Sequence, residues 1–373
     1  MADLARPEGK LTGLADKLRQ RITADGPITV ADYMEACLGD SKYGYYMVND
    51  PFGVDGDFIT APEISQLFGE LIGLWAVDYW ERMGGPAFHF VELGPGRGTL
   101  MADALRASAL RPEFIEVCNL HLVETSPALR ARQKTTLASA PCSPIWHNAF
   151  SDIPDKGPVL VIANEFLDAL PVRQFVSWQK SWRERFVDFE KETDRLCFRI
   201  GEETVPLPDE LAGFENGSHQ EGDILEYAPA GTELTRALAR RIAATGGAAL
   251  IIDYGHGESA IGETLQAVRD HKSQGVLDHP GKADLTTHVD FGLTNRLIKQ
   301  EGARPSRLLP QGAFLETLGI RQRLETLECT ATPEQKKNLS EGAQRLIGGE
   351  GMGNLFKVLA ITASGGPAPA GFN

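Results

Sequence analysis

The residues most able to do chemistry stand together in Val91-Glu92-Leu93-Gly94-Pro95-Gly96-Arg97-Gly98-Thr99-Leu100. Glycines at the turn between a strand and a helix let the backbone approach a nucleoside that a Cβ would hold off. The spacing is G-x-G-x-G: the third glycine is Gly98, and Thr99 occupies the place it would take in a dinucleotide fingerprint. Glu92, two residues before Gly94, would repel a pyrophosphate and suits a cationic ligand better. A second carboxylate, Glu124, closes the next apolar run, Leu122-Val123-Glu124. Its other reading is a carboxylate near the N-terminal dipole of the helix that begins at Pro127.

The loop with its preceding glutamate resembles motif I of the class I S-adenosylmethionine-dependent methyltransferases. That resemblance implies that Glu92 contacts the methionine amino group, that Gly94, Gly96 and Gly98 pass close to the cofactor, and that Glu124 accepts the ribose hydroxyls. Longer stretches resemble one family, the MidA-like proteins, which include the mitochondrial complex I assembly-factor methyltransferase and bacterial homologues. They are Tyr43-Gly44-Tyr45-Tyr46, Gly56-Asp57-Phe58-Ile59-Thr60-Ala61-Pro62-Glu63-Ile64-Ser65, the glycine loop, Asn164-Glu165-Phe166-Leu167-Asp168-Ala169-Leu170-Pro171-Val172, Asp253-Tyr254-Gly255 and Asp284-Leu285-Thr286-Thr287-His288-Val289-Asp290-Phe291. The resemblance implies methylation of an arginine in a protein partner, in the mitochondrial case a subunit of respiratory complex I.

Better-known arginine methyltransferases grip the guanidinium with two glutamates on a hairpin-like loop after the fourth strand. Here that strand ends in Asn164-Glu165-Phe166-Leu167-Asp168. Glu165 and Asp168 can supply an anchor and a proton acceptor, with Asn164 orienting through its amide; alternatively Asp168 is a turn residue and Glu165 the only functional carboxylate. Thr60-Ala61-Pro62-Glu63 fits a capping box, with Thr60 as cap and Glu63 at the third helical position. The same helix N-terminus, with Pro62 in its first turn, would offer donors to the cofactor carboxylate. His288 is either a structural hydrogen-bonder or part of the substrate pocket.

The elements around these residues read as a doubly wound α/β fold. Strands are expected at Phe88 to Leu93, Cys118 to Val123, Ile145-Trp146, Val159 to Ile162, Ala248 to Asp253, Arg307 to Leu309 and Leu355 to Ile361. Helices are expected from about Thr99 to Leu110, Pro127 to Leu137, Glu233 to Ala244 and Val289 to Gln300. This alternation argues for a mostly parallel sheet of class I methyltransferase type with helices on both faces. Val172 to Trp178, Trp182 to Phe189 and Leu196 to Ile200 alternate apolar and polar residues and break the rhythm. The expected organisation is an N-terminal helical region over 1–85 covering the cofactor cleft, a core of 86–171 and 230–363, and an inserted β-rich lobe at 172–229. Leu11, Leu14, Leu18 and Ile22 share one face of the first helix, Thr29 and Asp32 open the second, and a helix from Thr60 carries Ile64, Leu67, Phe68, Leu71 and Trp75. The polar stretch from Gly255 to Asp284 shows no element, and the Gly/Pro/Ala tail is expected to fray.

The 373 residues are 42% apolar and 24% charged, enough for a substantial core. Lysine and arginine number 37 against 51 acidic residues, and the net charge of −14 disfavours holding duplex nucleic acid through the overall field. Cys37, Cys118, Cys142, Cys197 and Cys329 are odd in number and contain no C-x-x-C, so neither a disulfide framework nor a cysteine zinc site is expected. No run approaches the roughly 18 apolar residues of a membrane span, and no targeting segment is evident. The expected location is the cytoplasm for a bacterial protein, or the mitochondrial matrix for a processed eukaryotic homologue. Two rival functions remain: a nicotinamide-dependent oxidoreductase, and an assembly chaperone that binds the cofactor without catalysis.

Overall fold

A computed structural model describes residues 13–48, 60–215 and 217–372. Leu11 of the first apolar face and Gly56-Asp57-Phe58-Ile59 of the family motif lie outside the described residues. The chain divides into two units: one gathers the described residues up to 48 with Pro171–Tyr227 and Ile261–Thr286, the other those from 60 to Leu170 with Ala228–Ala260 and Thr287 onward.

The second unit is built on seven strands: β1 (Phe88–Leu93), β2 (Cys118–Val123), β3 (Ile145–His147), β4 (Val159–Asn164), β5 (Gly247–His256), β6 (Ala303–Pro305) and β7 (Phe356–Ala363). Their order is β3-β2-β1-β4-β5-β7-β6. Strands β1 to β5 pair in parallel, and β7 runs antiparallel to both β5 and β6. The order reverses between β1 and β4, which opens a crevice at the carboxyl ends of these strands. The fold is therefore the mostly parallel α/β sheet expected. Two short segments add to it: Val289–Asp290 beside β5, and Leu309–Pro310 beside β7. Of the strand expected at Arg307 to Leu309 only Leu309 is in a strand; the pieces that pair with β7 are Ala303–Pro305 and Leu309–Pro310, and Arg307 and Leu308 lie between them.

Strand periodicity sorts the core into two layers. Phe88, Phe90, Leu160, Ile162, Leu250 and Ile252 face α2 (Gln66–Arg82) and α3 (Thr99–Ser108). Val91, Leu93, Val159, Val161, Ala249 and Ile251 face α5 (Pro229–Thr245) and α6 (Phe291–Gln300). The remaining helices that matter below are α1 (Ala61–Ile64) and α4 (Pro127–Thr136). Ser126 caps α4 and Asp290 caps α6, accepting from the Leu129 and Leu293 N–H groups. At the β1–β2–β3 edge His89, His121 and His147 bond in a row, at 2.8 and 2.9 Å. His89 Nε2 donates to the Lys156 carbonyl, so in the neutral ring Nδ1 accepts from His121.

The helix expected to run from Thr60 is two helices. Ser65 is extended at φ −160°, ψ 136°, and its hydroxyl caps α2 by accepting from the Leu67 N–H. The C-terminal tail is held: Arg82 and Arg304 donate to the carbonyls of Ala368, Gly366 and Pro367, and Phe372 packs on Phe314 with ring centroids 5.1 Å apart.

In the other unit the alternating segments form an antiparallel sheet, Ser181–Glu190 pairing with Arg173–Trp178 and Arg195–Ile200. Ile28–Thr29 joins its edge, so part of the N-terminal region groups with these strands, whereas α1 and α2 group with the parallel sheet. The polar stretch after Gly255 contains Gln266–Arg269, Lys272–Gln274 and Asp284–Thr286 as a small antiparallel sheet; its strands are too short for periodicity to reveal. Thr29 and Asp32 form a capping box, and Leu14, Leu18 and Ile22 are buried. Tyr45 is buried against Tyr46, whose hydroxyl donates to Asp284.

Helices α2 and α3 cross at the glycines of α2. A Cβ on Gly73 would lie 2.3 Å from the Ala104 carbonyl oxygen. Alanine normally improves a helix by about 1 kcal/mol over glycine; here Gly73→Ala is expected to lower stability by roughly 1–3 kcal/mol through overpacking. Urea unfolding checks this, with a gain in stability as the contrary result.

Candidate functional site

The glycine loop leaves β1 at the point where strand order reverses. Gly94, Gly96 and Gly98 have φ of 62°, 52° and 83°, a region costly for other residues. At Gly94 a Cβ would also stand 2.6 Å from the Phe166 ring. Gly98 precedes α3 as its cap. Beneath the loop Glu92 is 3% exposed, and its Oε2 has no hydrogen-bond partner. Burial alone pushes its carboxyl up to about 8. A buried carboxyl with an open oxygen at a strand end is a receptor for a cationic donor.

Glu124 is held differently. Its Oε1 accepts from the Ser126 N–H at 2.8 Å and its Oε2 from Gln133 Nε2 at 3.2 Å. Burial raises its pKa, opposed by these donors. The same Gln133 amide donates to the Gly96 carbonyl at 2.8 Å, and its Oε1 accepts from the Trp146 indole. One side chain thus ties the glycine loop, Glu124 and β3. Each Glu124 oxygen still has accepting capacity, as vicinal hydroxyls require.

Glu63 does not complete a capping box: Thr60 makes no side-chain cap bond. The Glu63 carboxylate accepts instead from the Thr99 hydroxyl at 2.6 Å and lies 3.8 Å from Arg97. These partners sit on the glycine loop, and they outcompete a local cap whose helix is only four residues long.

The turn after β4 is shaped by a residue that sequence patterns left without a role. Asp253, fully buried on β5, accepts at Oδ2 from the N–H groups of Phe166, Leu167 and Asp168 at 3.2, 3.0 and 3.2 Å. Its Oδ1 accepts from the Tyr254 N–H. Burial and the nearby Asp168 and Glu165 charges push its carboxyl well up. Glu165 enters the turn at φ 50°, a strained conformation for a residue with a Cβ. Its Oε1 accepts from the Ala61 N–H at the start of α1, at 3.1 Å, and from Asn164 Nδ2 at 3.2 Å. Asp168 is buried and hydrogen-bonded to the Tyr254 side chain; burial raises it to about 6, and its Oδ1 has no partner. Asn164 Oδ1 is likewise buried without a partner. His288 stands edge-on to the Tyr254 ring at 5.5 Å, and the preceding Thr287 donates its N–H to the Asp168 carbonyl.

One cavity brings together Pro62, Glu63, Glu92, Gly94, Gly96, Asn164 and Glu165. Gly98, Glu124, Asp168 and His288 do not line it: Glu124 connects to it through Gln133, and Asp168 and His288 lie behind the β4 turn around Tyr254. Asp253, Tyr254 and Gln133 are the residues that sequence reasoning missed as site components. A carboxylate ending a strand of apolar residues was a usable signal for Asp253; Gln133, in the middle of a helix, had none. Among the described residues no cluster of histidine, cysteine or carboxylate is arranged to hold a metal.

The strand order, the reversal point and the acid-flanked glycine loop define a nucleoside-binding α/β protein of methyltransferase type. A family described as "Putative S-adenosyl-L-methionine-dependent methyltransferase" matches residues 71–308. The mouse (Mus musculus) protein arginine methyltransferase NDUFAF7, mitochondrial, is 37% identical, covering 94% of this chain and 85% of its own. The Drosophila melanogaster NDUFAF7 homolog is also 37% identical, covering 93% and 84%. A Burkholderia thailandensis protein crystallised with S-adenosylhomocysteine is 28% identical with a TM-score of 0.84, covering 96% of this chain and 93% of its own. The chain belongs to this family of S-adenosylmethionine-dependent methyltransferases, and S-adenosylmethionine is its cofactor.

Burial pushes the Glu92 carboxyl up to about 8 and so favours its neutral form at pH 7. A ligand ammonium placed on Glu92 would favour the ionised form, and binding would then release a proton. Affinity for S-adenosylhomocysteine is therefore expected to rise with pH between about 6 and 8, by up to about tenfold per unit. Glu92→Gln is expected to flatten this dependence and to weaken binding at least about tenfold. Calorimetry in two buffers of different ionisation enthalpy checks this, with pH-independent binding by the unmodified chain as the contrary result.

Proposed function

We propose that this chain transfers a methyl group to an arginine of a protein partner. Glu92, Gly94, Gly96, Gly98, Glu124 and the α1 start around Pro62 would hold the cofactor, with Glu92 facing its ammonium and Glu124 its ribose. Asn164, Glu165 and Asp168 would serve the guanidinium. The observation that carries the reading is the β4 turn: two acceptor side chains, Asn164 and Glu165, line the same cavity as Glu92 and the glycine loop. The curated relatives' own description as protein arginine methyltransferases supports the same substrate class.

The cofactor supplies an electrophilic methyl on a sulfonium sulfur, and transfer from it needs alignment and exclusion of water. Glu165 is fixed before substrate arrives, by the Ala61 N–H and the Asn164 amide, and offers its carboxylate to guanidinium N–H groups. Asn164 Oδ1 is a further acceptor. The guanidinium must also lose a proton; Asp168, raised to about 6 by burial with Oδ1 open, lies outside the cavity and would receive it only by relay, the Tyr254 hydroxyl bonded to it passing its own proton to Asp168 as it takes one from the substrate side. His288 walls the Tyr254 side of this path.

For the partner we propose a subunit of respiratory complex I, as the family resemblance implies. The setting would be the mitochondrial matrix in a eukaryotic cell, in keeping with the mitochondrial relatives, or the cytoplasm in a bacterium. In transfer of labelled methyl into a lysate, followed by mass spectrometry, label is expected on arginine, first in complex I subunits. Glu165→Gln and Asp168→Asn are each expected to lose about 100-fold in rate, with S-adenosylhomocysteine affinity kept within about threefold. Full transfer by both variants would overturn the catalytic assignment. Tight cofactor binding with no transfer by the unmodified chain would favour an assembly chaperone instead.

A further inference from the structure

The amino-acid end of S-adenosylmethionine and of S-adenosylhomocysteine carries an ammonium and a carboxylate on one carbon, so a site that takes the ammonium on Glu92 must receive the carboxylate nearby. The cavity that Glu92 lines is a difficult place for an anion. Of the described side chains around it three are carboxyl groups, Glu63, Glu92 and Glu165, and a further negative charge among them is repelled unless a cation or hydrogen-bond donors offset it. The start of α1 cannot supply those donors. Its Ala61 N–H donates to Glu165 Oε1 at 3.1 Å, the Glu63 and Ile64 N–H groups donate to the Thr60 carbonyl at 2.9 and 3.1 Å, and Pro62 has none. The donors expected there are taken.

Arg97 is the one cationic side chain among the described residues that line this cavity. Its backbone is pinned on both sides: the Gly98 N–H donates to the Pro95 carbonyl at 2.7 Å, and Gln133 Nε2 donates to the Gly96 carbonyl at 2.8 Å. The partly buried guanidinium stands 3.8 Å from Glu63 Oε2, beyond hydrogen-bond distance, so that pair orients it through charge. Glu63 itself is anchored on the Thr99 hydroxyl. A guanidinium presents five N–H donors in one plane and meets a carboxylate with two parallel bonds.

We propose that Arg97 receives the cofactor's carboxylate and makes the site specific for a nucleoside that bears an amino acid. The proposal rests on the cofactor placement given under the proposed function, with the ammonium on Glu92. The two side chains form a clamp for a zwitterion, the buried carboxyl of Glu92 at one end and the Arg97 guanidinium at the other, both facing one cavity. A site built around such a bond rejects the analogue that lacks the bonded group.

The test measures, by calorimetry at one fixed pH, the affinities of S-adenosylhomocysteine and of its decarboxylated analogue, which keeps the amine and has hydrogen in place of the carboxylate. The full chain is compared with Arg97→Met, Arg97→Lys and Glu92→Gln. The unmodified chain is expected to prefer S-adenosylhomocysteine by roughly 10- to 100-fold. Arg97→Met is expected to lose about that factor on S-adenosylhomocysteine and to bind the decarboxylated analogue at least as tightly as the unmodified chain does, which also reports that the variant folds. Arg97→Lys, which keeps the charge without the planar pair of donors, is expected to fall between. Glu92→Gln is expected to weaken both ligands, because both keep the amine. Equal losses on both ligands for Arg97→Met would assign Arg97 to loop structure, and discrimination that survives Arg97→Met would give the carboxylate to the N–H groups at the start of α3. Either result would overturn the proposal, and the cofactor placement would still stand if Glu92→Gln weakens both ligands. Unchanged binding of both ligands by Glu92→Gln would remove that placement and the proposal with it.

Discussion

The buried Asp253 carboxylate organises the crevice end of the sheet. It collects three successive N–H groups from the turn after β4 and a fourth from its own strand. A turn folded that tightly leaves its donors pointing inward, and donors without partners in a dry interior cost about 1–3 kcal/mol each. Asp253 removes that penalty and thereby permits the left-handed Glu165. The strain at Glu165 and the convergence of N–H groups on one oxygen are two sides of one arrangement. It aims Asn164 and Glu165 at the cavity and places Asp168 behind Tyr254.

A second constraint is the concentration of carboxyl groups where strands end. Glu92, Glu124, Glu165, Asp168 and Asp253 occupy the ends of four adjacent parallel strands or the turns beyond them. Burial raises Glu92, Glu124, Asp168 and Asp253, and the partnerless oxygens of Glu92 and Asp168 mark where compensation from the protein runs out. Such a site gains most from ligands that bring positive charge and hydrogen-bond donors, which a sulfonium amino acid and a guanidinium both do. Of the net charge of −14, these few groups are the ones gathered at the strand ends around the crevice. Surface pairs such as Arg82–Asp78 belong to the solvated exterior.

The parallel core was legible because its strands are short apolar runs bounded by glycine and proline, and β1, β2 and β4 begin where the apolar pattern begins. Glu92 and Glu124 were legible as candidates because a carboxylate at a strand end beside a glycine loop is chemically conspicuous. What escaped depends on tertiary partners. Ser65 breaks a continuous helical pattern because its hydroxyl caps the next helix. Glu63 abandons its own helix for Thr99 and Arg97. Gln133 joins three elements from a helix interior, where local pattern says nothing. The small sheet within 266–286 has strands of three or four residues, too few for alternation to register. The terminal residues read as a fraying tail because the arginines that hold them, Arg82 and Arg304, lie far away in sequence.

On the proposed function, the Asp253-held turn presents Glu165 and Asn164 to a guanidinium beside a cofactor bound over Glu92 and Glu124. A crystal structure with S-adenosylhomocysteine and an arginine peptide tests it most directly. The account predicts the ligand ammonium on Glu92, the ribose hydroxyls on Glu124, and the guanidinium within hydrogen-bond reach of Glu165 and Asn164 Oδ1, with the Asp253 contacts intact. A guanidinium bound away from the β4 turn, or a turn rebuilt without Asp253, would contradict it.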